Sequence, residues 1–175
     1  MKYLILILTL FLAYTLNAQE SFSSKEYNFR ITFPKGWEVS TKDNKYVVEA
    51  SENDNIELSI NATIYYNLSD SFNISYIQID SLKKIIENQM SFQYQKYLVL
   101  RSGKGQIDGV PAYFYFIQYS DYKDGYLTKF ISFQYQFIYR RVFYSMFGVF
   151  PASVYEDYEK IFNQTYFTFR FLEKM

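Results

Sequence analysis

Neither cysteine nor histidine occurs among the 175 residues of the chain, and these two absences remove much familiar chemistry. Without thiols the chain forms no disulfide, so its stability must come from packing, and no lipidated cysteine can anchor it. Without imidazole it lacks the commonest general base and the commonest transition-metal ligand. Ser/His/Asp and Cys/His catalytic groups are thereby excluded, as are His- or Cys-based zinc sites. An excess of either charge is missing too, since Lys+Arg and Asp+Glu both number 18. A chain with no basic footprint is not expected to have nucleic acid as its main partner.

Long apolar runs are also few. The one that stands out extends from Tyr3 to Leu16, after Met1-Lys2 and before Asn17-Ala18-Gln19. A positive start, a short apolar stretch and a small residue before the cut describe a secretory leader. The run is shorter than the roughly 20 residues that cross a bilayer. Residues 1–18 are therefore expected to be a signal peptide cleaved after Ala18, a retained anchor helix being the alternative. Residues 19–175 are expected to form a single domain, exported to the periplasm or the extracellular space, with no integral membrane segment after cleavage.

Tyrosine (20) and phenylalanine (18) are abundant. They share A/T-rich codons with Asn, Ile and Lys, so genome bias accounts for them economically; a tyrosine-lined binding face is the sharper reading. Much of this aromatic content falls at alternating positions. Phe29, Ile31 and Phe33 alternate with polar neighbours, and so do Ile56, Leu58, Ile60, Ala62 and Ile64, which marks half-buried strands. A shorter strand is expected from Tyr46 to Ala50. Further strands follow at Tyr97 to Gln106, Ala112 to Tyr119, Ile131 to Phe137 and Val142 to Phe150, with turns at Asp108-Gly109, Asp121 to Gly125 and Tyr139-Arg140-Arg141. Short turns between long strands predict an antiparallel meander.

The period changes twice. From about Ser75 to Phe92, Ile79, Leu82, Ile85, Ile86 and Met90 recur at spacings of three and four, which predicts an amphipathic helix. A second helix is expected after Pro151, with Ser153 and Glu156 forming a capping box and Asp157 adding charge near the positive end of the helix dipole. Its stripe is Val154, Tyr158 and Ile161. Phe167, Phe169 and Phe171 then predict a closing strand. Helices grouped with an antiparallel sheet place the chain in the α+β class.

Two stretches carry a family resemblance. "YNFRITFPKGWEV" at residues 27–39, then "DGVPAYFYFIQY" at 108–119, an aromatic hairpin, a short helix and "YFTFRF" at 166–171 together resemble the PsbP-like family. That family is named for an extrinsic lumenal subunit of photosystem II and includes many exported bacterial domains. Its Pro-then-Gly-Trp corner is matched by Pro34, Gly36 and Trp37, and its Gly and Ala at a strand entry by Gly109 and Ala112. Thr168, Phe169 and Phe171 stand where the family has a Ser-Phe form. The resemblance implies an α/β/α sandwich around a central antiparallel sheet, and it brings no catalytic residues. A metal role known for plant members has no imidazole to rest on here. The corner also has its own physical reading: Pro34 presets φ, Gly36 admits a positive φ, and Trp37 folds back to close the sheet.

Other chemistry is weighed residue by residue. Glu52-Asn53-Asp54-Asn55 and Asp121-Tyr122-Lys123-Asp124-Gly125 offer oxygens to calcium, but neither matches an EF-hand and both suit turns. The acidic residues lie in turns and on helix faces rather than as a spaced catalytic pair. No Gly-x-Ser-x-Gly element occurs. Four N-glycosylation patterns, at Asn61, Asn67, Asn73 and Asn163, matter only in a eukaryotic source. Tyr139, Arg140 and Arg141 form a candidate interaction tip, a solvated turn being the plainer account. No cofactor and no metal site is expected. The chain reads as an exported, non-catalytic PsbP-like domain contacting a protein partner or assembly at the cell envelope. The alternative is a binder of a small lipid-like or sugar ligand on the aromatic sheet face or in the groove between sheet and helix, with an unrecognised hydrolase behind both.

Overall fold

The computed structural model describes residues 19–41, 46–94, 96–123 and 125–173; the expected leader, 1–18, lies outside the described residues. Among the described residues ten strands and two α-helices follow in the order β1 (Ser21–Ser24), β2 (Phe29–Thr32), β3 (Glu38–Ser40), β4 (Val48–Asn53), β5 (Ile56–Ile64), α1 (Ile79–Gln93), β6 (Tyr97–Ile107), β7 (Val110–Lys123), β8 (Tyr126–Tyr139), β9 (Val142–Pro151), α2 (Tyr155–Tyr166) and β10 (Arg170–Phe171). The fold is α+β and mostly sheet. β6 to β9 run as the expected meander, and β9 returns to pair with β5, giving the antiparallel order β3-β4-β5-β9-β8-β7-β6. A small second sheet joins β1, β2 and β10.

Alternation along β7 divides the interior in two. Ala112 and Phe116 belong to a core with Phe133, Phe137, Tyr144, Phe150 and the α2 residues Phe162 and Tyr166. Tyr113, Tyr115, Ile117 and Tyr119 belong to a second core with the α1 residues Leu82, Ile86 and Met90. The two helices therefore belong to cores that take β7 side chains of opposite parity, because successive side chains of a strand point to opposite faces. Helix α2 approaches the sheet where β9 carries no side chain. A Cβ placed on Gly148 would sit 2.0 Å from the Phe162 ring, so glycine is what lets that ring lie against the strand.

Four local expectations need correction. Ser153 and Glu156 do not form a capping box: Pro151 leads into a 3₁₀ turn over Ala152–Val154, so α2 starts one residue later, with Val154 at its N-cap and no side-chain cap bond. Glu156 and Asp157 still occupy the first turn, where their charge opposes the helix dipole favourably. Ile85 is 54% exposed, so the buried stripe of α1 narrows to Leu82, Ile86 and Met90 at strict i, i+4 spacing. Phe167 is 55% exposed because it ends α2 rather than entering the last strand, which is only Arg170–Phe171. The first helix also begins at Ile79, since Asn73 accepts from the Ser75 amide (3.0 Å) and holds Ile74–Tyr76 in a separate 3₁₀ turn.

Candidate functional site

A groove of about 730 Å³ opens on the α1 side of the large sheet. Its floor follows from strand parity and register. Neighbouring rows across the sheet read Asn61, Ser145 and Gln136, then Ser59, Phe147, Gln134 and Tyr115, then Glu57, Val149, Ser132 and Ile117. The same face that is apolar under α1 thus turns to amides and hydroxyls over β8, β9 and β5, which the helix does not cover. The last turns of α1 form one wall. Gln89 and Gln93 stand there at i, i+4 spacing, so they share a helix face, and Phe92 is 96% exposed beside them. Tyr46, Tyr94, Tyr119 and Phe143 complete the aromatic part of the lining.

The polar floor is pre-set by hydrogen bonds. The hydroxyl of Tyr115 donates to Gln134 Oε1, which turns the Gln134 amide nitrogen toward Ser132 Oγ, 3.5 Å away. Burial raises the Tyr115 phenol well above its ordinary pKa, with Tyr113 and Tyr94 adding to the effect, so the donating proton is retained. Tyr119 is raised in the same way, first by burial and then by Tyr94, whose ring lies 4.0 Å away. Ser59 Oγ is buried on this face without a hydrogen-bond partner among the described residues. Among the described residues Glu57 is the one charged side chain of the lining.

The residues singled out from the sequence lie elsewhere. Tyr139, Arg140 and Arg141 sit at the β8–β9 turn, where Tyr139 pairs with Val142 and both arginines have positive φ, 46° and 65°. That is the two-residue loop of a type I′ hairpin, for which Asn-Gly is the favoured sequence. Arg141 Nε lies 2.6 Å from Asp70 Oδ1, its carbonyl accepts from the Tyr65 amide (2.8 Å), and the Tyr139 ring packs 4.0 Å from Phe171. The tip is thus occupied in tying the 65–70 loop and β10 to the hairpin. Arg140→Asn should raise stability by about 0.5 kcal/mol, because Asn tolerates the left-handed region and the gain exceeds the loss of the half-buried Arg140–Tyr139 cation–π contact. Denaturant melts of the two proteins give the difference.

At the Pro34 corner, Gly36 has φ 86° and the Trp37 amide donates to the Pro34 carbonyl (3.4 Å). Trp37 is buried and meets Phe162 edge-on at 5.7 Å, so it closes the core beside α2. The two oxygen-rich loops behave as turns. Asn53 Oδ1 accepts from the Asn55 amide (2.9 Å), Lys123 Nζ donates to the Asp54 carbonyl (3.0 Å) and Asp121 Oδ1 accepts from the Tyr122 amide (2.8 Å), while Asp124 lies outside the described residues. Among the described residues no group of three acidic side chains is placed to hold a metal. The four glutamines of the groove escaped sequence reasoning because they come from α1 and β8, which only the fold brings together. The i, i+2 pair Gln134 and Gln136 in an aromatic strand is the signal that could have marked the floor.

No family model matches the sequence, and no curated protein matches it. Solved structures do. A cyanobacterial PsbP, CyanoP, from Synechocystis superposes with a TM-score of 0.62 at 10% identity, covering 88% of this chain and 92% of that one. A Bacteroides thetaiotaomicron protein gives 0.56 at 12% identity, covering 89% of this chain and 49% of that one. LpqN of Mycobacterium tuberculosis, a protein involved in cell envelope biogenesis, gives 0.53 at 8% identity, covering 87% and 84%. Among the described residues no helix is long and apolar enough to cross a membrane. With a whole-domain match to CyanoP and a seven-stranded antiparallel sheet carrying two helices, the chain has a PsbP-like fold.

Proposed function

We propose that this chain is an extracytoplasmic, non-catalytic binding domain of PsbP-like fold, an α/β/α sandwich that takes a small ligand in the groove beside α1. The groove carries the reading: it is a concave surface with aromatic walls and convergent amides and hydroxyls, the combination that ligand sites share. A leader-like start and the similarity to LpqN support export to the cell envelope. Among the described residues the lining holds one carboxylate, which favours binding over acid–base turnover.

A protein partner is the second reading, favoured by the far end of the β7–β8 hairpin, where Leu98, Tyr122, Tyr126 and Leu127 are exposed together with β6 at the sheet edge. Recovery of the protein from its native envelope separates the two. A stoichiometric small molecule held by the native protein and lost from Gln93→Ala/Gln136→Ala supports the groove. A stoichiometric protein lost from Tyr122→Ser/Leu127→Ser, with no small molecule, overturns it.

A further inference from the structure

Resting on that reading, we infer that the groove recognises a neutral polyhydroxylated ligand, a glycan of about two or three sugar rings, given that sites of about 300–1,000 Å³ hold ligands of drug size. Charge is the first discriminator. Among the described residues no Lys or Arg lines the groove, so those residues would strip a phosphate, sulfate or carboxylate of water without offering a cation to receive it. Among the described residues of the lining a cation would meet one carboxylate, that of Glu57.

Four carboxamides are the second discriminator. Gln89 and Gln93 on the wall and Gln136 on the floor each carry a donor and an acceptor in one plane, while the carbonyl of Gln134 is held by Tyr115 and only its amide nitrogen is left to donate. A sugar hydroxyl is likewise both donor and acceptor, so such pairs satisfy each other on both sides. The Tyr115 hydroxyl holds the carbonyl of Gln134 and thereby fixes its amide as a donor before any ligand arrives. A hydrocarbon chain over the same floor would bury these amides unpaired, which is costly. The exposed face of Phe92 and the rings of Phe143 and Phe147 supply flat apolar surface suited to the C–H face of a pyranose.

Position supplies the third. The groove lies on the face of β5, β9, β8 and β7, whose main-chain groups are already paired between strands. An extended peptide binds best at a sheet edge, where free N–H and C=O groups accept it as a further strand. A glycan needs only side chains.

Calorimetric titration of the purified protein with maltotriose, cellotriose and chitotriose tests the inference, with ¹⁵N spectra of the glutamine side-chain amides as a second readout. One of the three should saturate the protein at one-to-one stoichiometry and shift those amides. Gln136→Ala and Gln93→Ala should each weaken it about tenfold, the loss of one neutral hydrogen bond, without lowering the melting midpoint. The octyl glycoside of the bound sugar should bind no more than about tenfold tighter than the free sugar; a larger gain would move recognition to the chain and overturn the inference. Binding of dodecanoate or of a neutral hexapeptide at the glutamine amides, with none of the sugars, overturns the glycan and leaves the groove. Absence of any groove response to every probe overturns both.

Discussion

Above about pH 11 the protein should unfold cooperatively, because four phenols of its core are protonated in the fold and ionise only when it opens. Tyr115, Tyr119, Tyr144 and Tyr166 are buried, and burial raises each pKa above the ordinary value of 10.0. Hydrogen bonding fits the protonated form: Tyr144 donates to the Tyr27 carbonyl (2.7 Å), Tyr166 to the Phe133 carbonyl (3.3 Å) and Tyr115 to Gln134. A raised folded pKa means that this stability is fully present below pH 10 and is lost as pH rises toward the folded value. Each phenol then costs about 1.4 kcal/mol per pH unit above the unfolded pKa. Four together cost roughly 6 kcal/mol per unit, against a total stability on the order of 5–15 kcal/mol. A tyrosinate absorbance step equal to about four phenols should therefore appear together with the loss of circular dichroism. Ionisation of all tyrosines near pH 10 with the sheet intact would contradict the packing described here.

Gly148→Ala should destabilise the protein by about 3 kcal/mol, at the upper end of the cost of overpacking a core. The new methyl would overlap Phe162 Cε1 and Cδ1, at 2.0 and 2.2 Å, and approach the Tyr166 hydroxyl at 2.7 Å. Phe162 cannot retreat easily, since its ring also meets Trp37, Phe133 and Phe150 at 5.7, 6.1 and 5.1 Å. Phe162→Leu frees part of that space, so the double variant Gly148→Ala/Phe162→Leu should lose less than the sum of the two single losses. A coupling of at least about 1 kcal/mol in urea melts is the expected result. Strict additivity would mean that α2 does not rest on β9 at Gly148.

The meander and the α+β class were legible because alternation and turn chemistry are local: Phe133, Tyr135 and Phe137 announce β8, and Asp108-Gly109 announces the turn between β6 and β7, with Gly109 at φ 83°. Which face of that strand would be covered was not legible. Gln134 and Gln136 read as the solvent side of β8, yet Gln134 is buried by Tyr115 from the neighbouring strand. Helix boundaries shifted for a related reason. Ser153 fits a capping pattern, but the path out of Pro151 sets where the first α-helical turn can begin. Periodicity placed Ile85 in the stripe of α1, whereas a helix resting on a twisted sheet by its i, i+4 row touches it with Leu82, Ile86 and Met90 alone. The groove depends on α1 stopping short of β8, β9 and β5, a long-range outcome with no sequence period of its own.

The most direct measurement is the map of perturbed resonances when the small-molecule fraction of a native envelope extract is added to ¹⁵N-labelled protein. Shifts concentrated in the side-chain amides of Gln89, Gln93, Gln134 and Gln136, with the β7–β8 hairpin end unmoved, are the result this account expects. Shifts confined to Tyr122, Tyr126 and Leu127, with those four amides silent, would contradict it.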